Sequence, residues 1–267
     1  MTRLKNKIAI VVGAGQTKGE TLGNGRATAI RFAQEGAKLF LVDKDIDSVT
    51  ETLELCKQNG GTGEIMEADV RSEEQCKAIV ERCERSLGPP AVLHNNVGIG
   101  FGDRGPTKIT EQIWDDIFDT NLKSVMFICK YALPSMRAQR SGSIINISSI
   151  AAICNGGMVS YKASKAALNA YTHALATGSA QYGIRANAIM PGYINTPMAI
   201  EGYVGAGFER EELIRRRNEA IPLRQEMGSA WDVANAALFF ASDESRFITG
   251  TCLPVDGGQS AMIGSGM

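Results

Sequence analysis

Two patterns of apolar and polar positions alternate along the chain. Short continuous apolar runs, such as 8–12, are typical of strands covered by helices on both faces. Seven such runs occur, at 7–12, 38–42, 63–68, 91–95, 142–147, 185–190 and 250–255. Between them lie segments with apolar residues three and four apart, including 26–35, 45–59, 72–87 and 164–181, which predict helices. This order predicts an α/β fold with a doubly wound sheet of about seven parallel strands.

The pattern indicates a single domain over 1–267, because no linker, repeat or low-complexity tract divides the chain. The segment 193–222 interrupts the alternation with glycines and apolar residues, followed by a charged helix-like stretch at 209–219. So long a segment between core elements predicts a lid over a substrate site. The arginines at 215–217 are surrounded by glutamates, which favours a solvated helix face over a phosphate clamp.

Composition excludes several classes of protein. The 28 Lys and Arg against 29 Asp and Glu give a net charge of −1, so no bulk attraction to nucleic acid or anionic lipid is expected. No apolar run approaches the ~20 residues that span a bilayer. Six scattered cysteines without a Cys-x-x-Cys pair, and no secretory leader, predict a cytoplasmic protein. His94 and His173 lack partners at metal-ligand spacing, so no metal is expected.

A glycine-rich stretch from Gly13 to Gly25 separates the first strand from the first helix. Backbone N–H groups there, with the helix N-terminus, favour a bound phosphate, although the loop alone is equally typical of a structural turn. Asp43 ends the second strand, where a carboxylate accepts hydrogen bonds from ribose hydroxyls and repels a 2′-phosphate. This predicts NAD rather than NADP, although Lys44 could weaken the repulsion. Asp43 could instead cap the next helix, but Asp45 is available for that role.

Tyr161 and Lys165 lie four residues apart, on one face of a predicted helix. An ammonium beside a phenol favours phenolate, which would lower the pKa of Tyr161 from about 10. Ser148 and Ser149 follow a predicted strand at the sheet edge where such folds bind ligands. A phenol that moves a proton, a serine that holds the oxygen and a nicotinamide that exchanges hydride would interconvert an alcohol and a ketone.

Together these motifs resemble the short-chain dehydrogenase/reductase family over almost the whole chain. Further matches are Asp69-Val70, Asn95-Asn96-Val97-Gly98, Asn121, Pro191-Gly192 with Thr196, and Thr249-Gly250 with Asp256-Gly257-Gly258. The resemblance implies a Rossmann-type fold, with Asn121 completing the catalytic set by holding a water in a proton relay through Lys165. It implies a cofactor site formed by Gly13, Gly23, Asn24, Gly25, Asp43, Asp69, Val70, Asn95, Val97, Gly98, Tyr161, Lys165, Pro191, Gly192, Ile194 and Thr196.

The chain departs from the family pattern at the glycine loop and at one strand end. Residues 16–21 form a six-residue insertion, which leaves open whether Gly13, Gly15 or Gly19 approaches the phosphates most closely. Val12 and Val97 replace the usual Thr and Ala. Family spacing from the tyrosine selects Ser148 as the catalytic serine, whereas strand register selects Ser149. We select Ser149, because register sets side-chain direction while the loop that follows can absorb a deletion.

The residues expected to contact the substrate are mostly apolar. They are Ser149, Cys154, Met158, Tyr161, Tyr193 and Met198, with Asn155 beside them. They predict a secondary alcohol or ketone on a nonpolar skeleton, cyclic ones included. Cys154 has no visible base nearby and is interpreted as a pocket-lining thiol rather than a nucleophile.

The helix at 164–181 is rich in alanine. The family resemblance implies a homotetramer formed through this helix, the helix before it and the last strand. Alternatively, the alanines pack on the sheet of the same chain. Two other functions stay open, an NADP-dependent carbonyl reductase and a non-catalytic dinucleotide-binding protein. The Tyr, Lys, Ser and Asn set argues against the second.

Overall fold

Seven parallel strands form the centre of the computed structural model, which describes residues 2–154 and 157–262. Their order in the sheet is β3-β2-β1-β4-β5-β6-β7. The strands are β1 (Ile8–Val12), β2 (Lys38–Asp43), β3 (Thr62–Glu67), β4 (Val92–Asn95), β5 (Gly142–Ile147), β6 (Ile184–Pro191) and β7 (Cys252–Val255). The predicted doubly wound α/β fold is therefore confirmed, with each strand within two residues of its expected bounds.

Helices cover both faces of this sheet. The α-helices of the described residues are α1 (Asn24–Gln34), α2 (Ile46–Gln58), α3 (Glu73–Ser86), α4 (Glu111–Phe118), α5 (Ser124–Gln139), α6 (Val159–Ser179), α7 (Pro197–Gly205), α8 (Arg210–Glu219) and α9 (Ala230–Ala241). Ala9 and Val11 of β1 belong to the core shared with α1, α2 and α9. Ile10 and Val12 belong to the core shared with α3, α5 and α6. Alternate side chains of one strand therefore supply two cores, as expected for a sheet covered on both faces.

The strand order reverses between β1 and β4, so the chain leaves these neighbours in opposite directions. A crevice opens at such a point, beside the carboxyl ends of the two strands, and open α/β sheets bind ligands there. The glycine loop follows β1, and Gly98 follows β4. The fold thus brings two of the predicted cofactor motifs to the same edge of the sheet.

Helix α6 begins at Val159, five residues before the predicted start. Its N-cap residue, Met158, provides no side-chain hydrogen bond. Instead, the backbone N–H of Tyr161 donates to the carboxylate of Asp103 at 2.7 Å. A free N–H in the first turn of this helix is therefore satisfied by a residue distant in sequence.

The predicted lid segment, 193–222, contains α7 and α8. Thr196 caps α7 by accepting the backbone N–H of Ala199. None of the helices in the part of the chain that the structure describes is both long and apolar enough to cross a membrane.

Candidate active site

The turn between β1 and α1 has no room for side chains at two glycines. Gly13 has a φ of +78°, and its carbonyl accepts a hydrogen bond from the Asn96 side chain at 2.9 Å. A Cβ on Gly25 would lie 1.9 Å from that carbonyl oxygen. The N-terminus of α1 therefore rests directly on the turn, with Asn24 as its first residue. A helix N-terminus beside a bare backbone turn fits a pyrophosphate.

The inserted residues 16–21 fold into a closed loop beside this turn. The Gln16 side chain donates to the carbonyl of Thr21 at 3.3 Å and accepts the N–H of Gly23 at 2.8 Å. A Cβ on Gly19 would lie 2.9 Å from side-chain atoms of Pro197 and Glu201 in α7. The insertion thus contacts the lid segment, and Gly13, rather than Gly19, lies in the turn itself.

Asp43 lies half-buried at the end of β2, against the glycine loop. Its carboxylate accepts the N–H groups of Gly15 at 2.9 Å and Asp45 at 3.2 Å. Asp45, not Asp43, caps α2 by accepting the N–H of Ser48 at 3.0 Å. The Asp43 carboxylate is therefore held at the edge of the crevice by backbone donors.

Sequence reasoning missed Arg26, a buried cation close to Asp43. Its guanidinium donates to Thr52 and Ser48 and forms a 2.7 Å ion pair with Glu51. The Ser48 hydroxyl in turn accepts the N–H of Gln16 at 2.8 Å. Arg26 therefore stabilises the glycine loop through Ser48, and Glu51 balances its charge.

The two serines after β5 point in different directions. Ser148 is buried, and its hydroxyl donates to the carbonyl of Lys165 at 3.1 Å. Ser149 accepts the N–H of Ala151 at 3.1 Å and interacts with the Tyr161 phenol. Ser149 is thus the serine of this pair that reaches the tyrosine.

Burial raises the pKa of Tyr161, and the interaction with Ser149 opposes that rise. Lys165 lies with its Nζ 5.6 Å from the centroid of the tyrosine ring. The expectation of a lowered pKa for Tyr161 is not met, because the effect of burial exceeds the opposing effect of Ser149. Tyr161 is therefore protonated near neutral pH.

Lys165 is buried, and its Nζ donates to the carbonyl of Ile147 at 2.8 Å. Burial lowers its pKa to about 8. A Cβ on Gly98 would lie 2.9 Å from this Nζ, so the glycine after β4 leaves space for the lysine. The ammonium of Lys165 can therefore occupy this position only because residue 98 has no side chain.

Asn121 lies in a π-helical turn, Asp119–Lys123, between α4 and α5. Its side chain makes two hydrogen bonds with the Ile99 backbone, at 2.8 and 2.9 Å, and donates to Ser164 at 3.1 Å. It therefore ties the loop after β4 to α6, close to Gly98. Such turns inside helices are frequent at functional sites.

Three predicted cofactor residues have side chains engaged elsewhere. Asn95 donates to Asn146 at 2.8 Å inside the core between the sheet and α5. Val70 packs in the same core. Asp69 pairs with Arg71 at 2.6 Å, and that hydrogen bond lowers the pKa of Asp69. Contacts from Asn95 and Val70 to a dinucleotide would have to come from the backbone.

The end of β6 is fixed by the C-terminal turn. A Cβ on Gly192 would lie 2.6 Å from the Cβ of Asp256, and the N–H of Tyr193 donates to Gln259 at 3.1 Å. Pro191, Ile194 and Thr196 are buried around this contact. The segment between β6 and α7 is thereby held at the carboxyl edge of the sheet. The Val97 side chain packs beside Gly13 at the same edge.

Apolar side chains are exposed in the segments that follow β4, β5 and β6. Besides the predicted Tyr193 and Met198, these include Phe101, Ile153, Tyr203 and Phe208. Met158 lies near Gly100, which also faces the Tyr161 ring. The half-buried Cys154 is positioned through its carbonyl, which accepts from Lys162. Asn155 lies outside the described residues.

His94 is fully buried in β4, edge-on to Phe32 with ring centroids 6.0 Å apart. Within residues 2–154 and 157–262, neither ring nitrogen has a hydrogen-bond partner. Burial lowers the pKa of His94 to about 3. In the same ranges, no three His, Cys, Asp or Glu side chains come together to hold a metal.

Comparison with known proteins agrees with this geometry. The family model described as enoyl-(acyl carrier protein) reductase matches residues 20–260. The chain is 35% identical to the 3-oxoacyl-(acyl-carrier-protein) reductase FabG of Thermotoga maritima, over 96% of this chain and 98% of that protein. The chain belongs to the short-chain dehydrogenase/reductase family and is an oxidoreductase.

Solved structures give the same result. A putative short-chain dehydrogenase/reductase from Burkholderia xenovorans superposes with a TM-score of 0.94 at 39% identity, covering 99% of this chain and 100% of that one. Carveol dehydrogenase from Mycobacterium avium, in complex with NAD, superposes with a TM-score of 0.90 at 29% identity, covering 98% of this chain and 100% of that one.

Proposed function

We propose that this protein is an NAD-dependent oxidoreductase that interconverts a secondary alcohol and a ketone on a largely apolar skeleton. The observation that carries the proposal is the grouping of Ser149 with the Tyr161 phenol, and of Lys165 with both the Tyr161 ring and Gly98. An acid–base group, an oxygen-holding hydroxyl and a buried cation then face one crevice.

The chain's residues divide the proton chemistry among them. Tyr161 donates its phenol proton to the ketone oxygen during reduction and takes a proton from the alcohol during oxidation. Ser149 holds that oxygen, and Lys165 supports the phenolate that forms. Asn121, which clamps the Ile99 backbone, is the proposed site of a water in a relay from Lys165. A bound nicotinamide would supply or accept the hydride.

The preference for NAD rests on two carboxylates. Asp43 faces the crevice at the end of β2, where it would repel a 2′-phosphate. The cation Arg26 is already paired with Glu51, so it is not free to attract that phosphate. The NAD complex of carveol dehydrogenase lends support. An NADP-dependent carbonyl reductase is the alternative, and equally tight binding of NADP and NAD would favour it.

The test of catalysis is the Tyr161→Phe variant, assayed by absorbance of reduced nicotinamide with a panel of apolar secondary alcohols and ketones. Loss of the acid–base group should slow turnover by roughly 10² to 10⁴, with cofactor binding unchanged. Tyr131→Phe is the matched control, because that phenol bonds to Glu73 away from the site. Equal rates for wild type and Tyr161→Phe would contradict the proposal. Cofactor binding without any turnover would indicate a dinucleotide-binding protein.

We also propose a homotetramer in the cytoplasm. Two surface cavities of about 380 and 370 Å³ flank α6, one beside residues Thr249 and Gly250 and the other beside α5. These are the surfaces through which the tetramer would form. The six unpaired cysteines suit a reducing compartment. Light scattering that shows a monomer at micromolar concentration would contradict the tetramer.

A further inference from the structure

Helix α8 contains four arginines, and one of them differs from the rest. Arg217 is 8% exposed, and among residues 2–154 and 157–262 no carboxylate lies within 4.0 Å of its guanidinium. The other three are paired: Arg210 with Glu201, and Arg215 and Arg216 with Glu212. The expectation of a solvated helix face is therefore right for Arg215 and Arg216 and wrong for Arg217. A buried cation without a counter-ion is costly.

Aromatic rings hold this guanidinium in place. Its carbon lies 4.5 Å from the ring centroid of Tyr203 and 5.1 Å from that of Tyr193. Its Nη1 donates to the carbonyl of Ala199. A guanidinium has five N–H donors, so most of its donors have no protein acceptor in the described part of the chain. The rings orient the cation and leave donors available.

The aromatic pair connects Arg217 to the reacting group. Tyr193 directly follows the end of β6, at the carboxyl edge of the sheet. Burial raises the pKa of Tyr161, and electrostatic repulsion from Tyr203 adds to that rise. Arg217 thus packs, as part of the segment 193–222, against Tyr193 at the carboxyl edge of the sheet and against Tyr203.

We propose that Arg217 binds a carboxylate carried by the substrate, which is then an apolar keto acid or hydroxy acid. The proposal rests on the proposed function, since it names the substrate class of the same site. The ketone carbon lies at Tyr161 and the carboxylate at Arg217, with the apolar body between them. A carboxylate matches the planar fork of a guanidinium, and its single charge balances a single cation.

Binding calorimetry on the NAD-loaded protein tests this without requiring turnover. The probes are cyclohexanecarboxylate and cyclohexanecarboxamide, which have the same shape and differ in charge. Wild type should bind the acid roughly 10- to 100-fold more tightly than the amide, as expected for hydrogen bonds to a charged group. Arg217→Gln should remove that preference, and Arg217→Lys should keep part of it. Arg216→Gln, with a neighbouring exposed cation, should leave it unchanged.

Equal binding of acid and amide by wild type, or no measurable binding of either, overturns the proposal. A preference that survives in Arg217→Gln also overturns it, and so does a loss of NAD affinity in that variant. Thermal unfolding of both Arg217 variants separates misfolding from lost recognition. Absence of ketone reduction with intact acid binding would count against the proposed function alone.

Discussion

The carboxylate of Asp103 accepts the backbone N–H of Tyr161 at 2.7 Å, across 58 residues of sequence. Tyr161 lies in the first turn of α6, where the N-cap residue provides no side-chain acceptor. The loop after β4 therefore fixes the start of the helix that carries the proposed acid–base group. Asp103 acts as a positioning residue, since it touches the tyrosine backbone rather than the phenol.

Asp103→Ala should lower kcat about tenfold and lower the stability by ~1 kcal/mol, the usual cost of a lost cap. Asp103→Asn keeps an acceptor oxygen and should restore most of kcat. Steady-state kinetics and thermal unfolding check both effects. If kcat per folded molecule is unchanged in Asp103→Ala, the residue only stabilises the helix and does not position Tyr161.

Ser149→Ala should shift the pH profile of alcohol oxidation to higher pH. Oxidation requires the deprotonated phenol, and burial already raises the pKa of Tyr161. The Ser149 interaction opposes that rise, so its removal should raise the pKa further. The measurement is kcat/KM for an alcohol from pH 6 to pH 10.

Ser148→Ala is the matched control for that experiment. Ser148 bonds to the Lys165 carbonyl and not to the phenol, so its loss should cost about 1 kcal/mol of stability without shifting the profile. A shift in Ser148→Ala, or none in Ser149→Ala, would contradict the prediction, and both results together would exchange the roles of the two serines.

His94 should make the protein less stable in acid. The unfolded chain binds a proton at this histidine near the ordinary pKa of 6.5, whereas the folded protein binds it only near 3. Between these values the unfolded state holds more protons, so stability falls as pH falls, by up to about 1.4 kcal/mol per pH unit. In urea unfolding, His94→Leu should flatten this dependence below pH 6.5.

The contact between the insertion and α7 can be tested at Gly19. A side chain there meets Pro197 and Glu201, so Gly19→Val should push the two segments apart. We expect weaker binding of both cofactor and substrate, measured as a dissociation constant and a KM. Thr17→Val places the same side chain at an exposed position of the insertion and should change neither. Unaltered binding in Gly19→Val would mean that the contact has no role.

Sequence periodicity predicted the strands well because most side chains of the five inner strands are buried, while only the edge strands β3 and β7 are partly exposed. The opposite directions of Ser148 and Ser149 also follow from alternation along an extended chain. Sequence periodicity could not predict the start of α6. The acceptor for a backbone N–H in its first turn is the carboxylate of Asp103, which is distant in sequence. Arg217 was indistinguishable from Arg215 and Arg216 for a similar reason. Only tertiary packing decides which of three consecutive arginines turns inward.

The Arg26–Glu51 pair bears on how the cofactor preference of this chain could be redesigned. A guanidinium already lies beside the glycine loop, which it contacts through Ser48, and the exposed carboxylate of Glu51 neutralises it. An engineer who wants the phosphorylated dinucleotide therefore need not introduce a new positive group. Removing the Asp43 and Glu51 side chains would leave the charge of Arg26 without a neighbouring carboxylate to balance it.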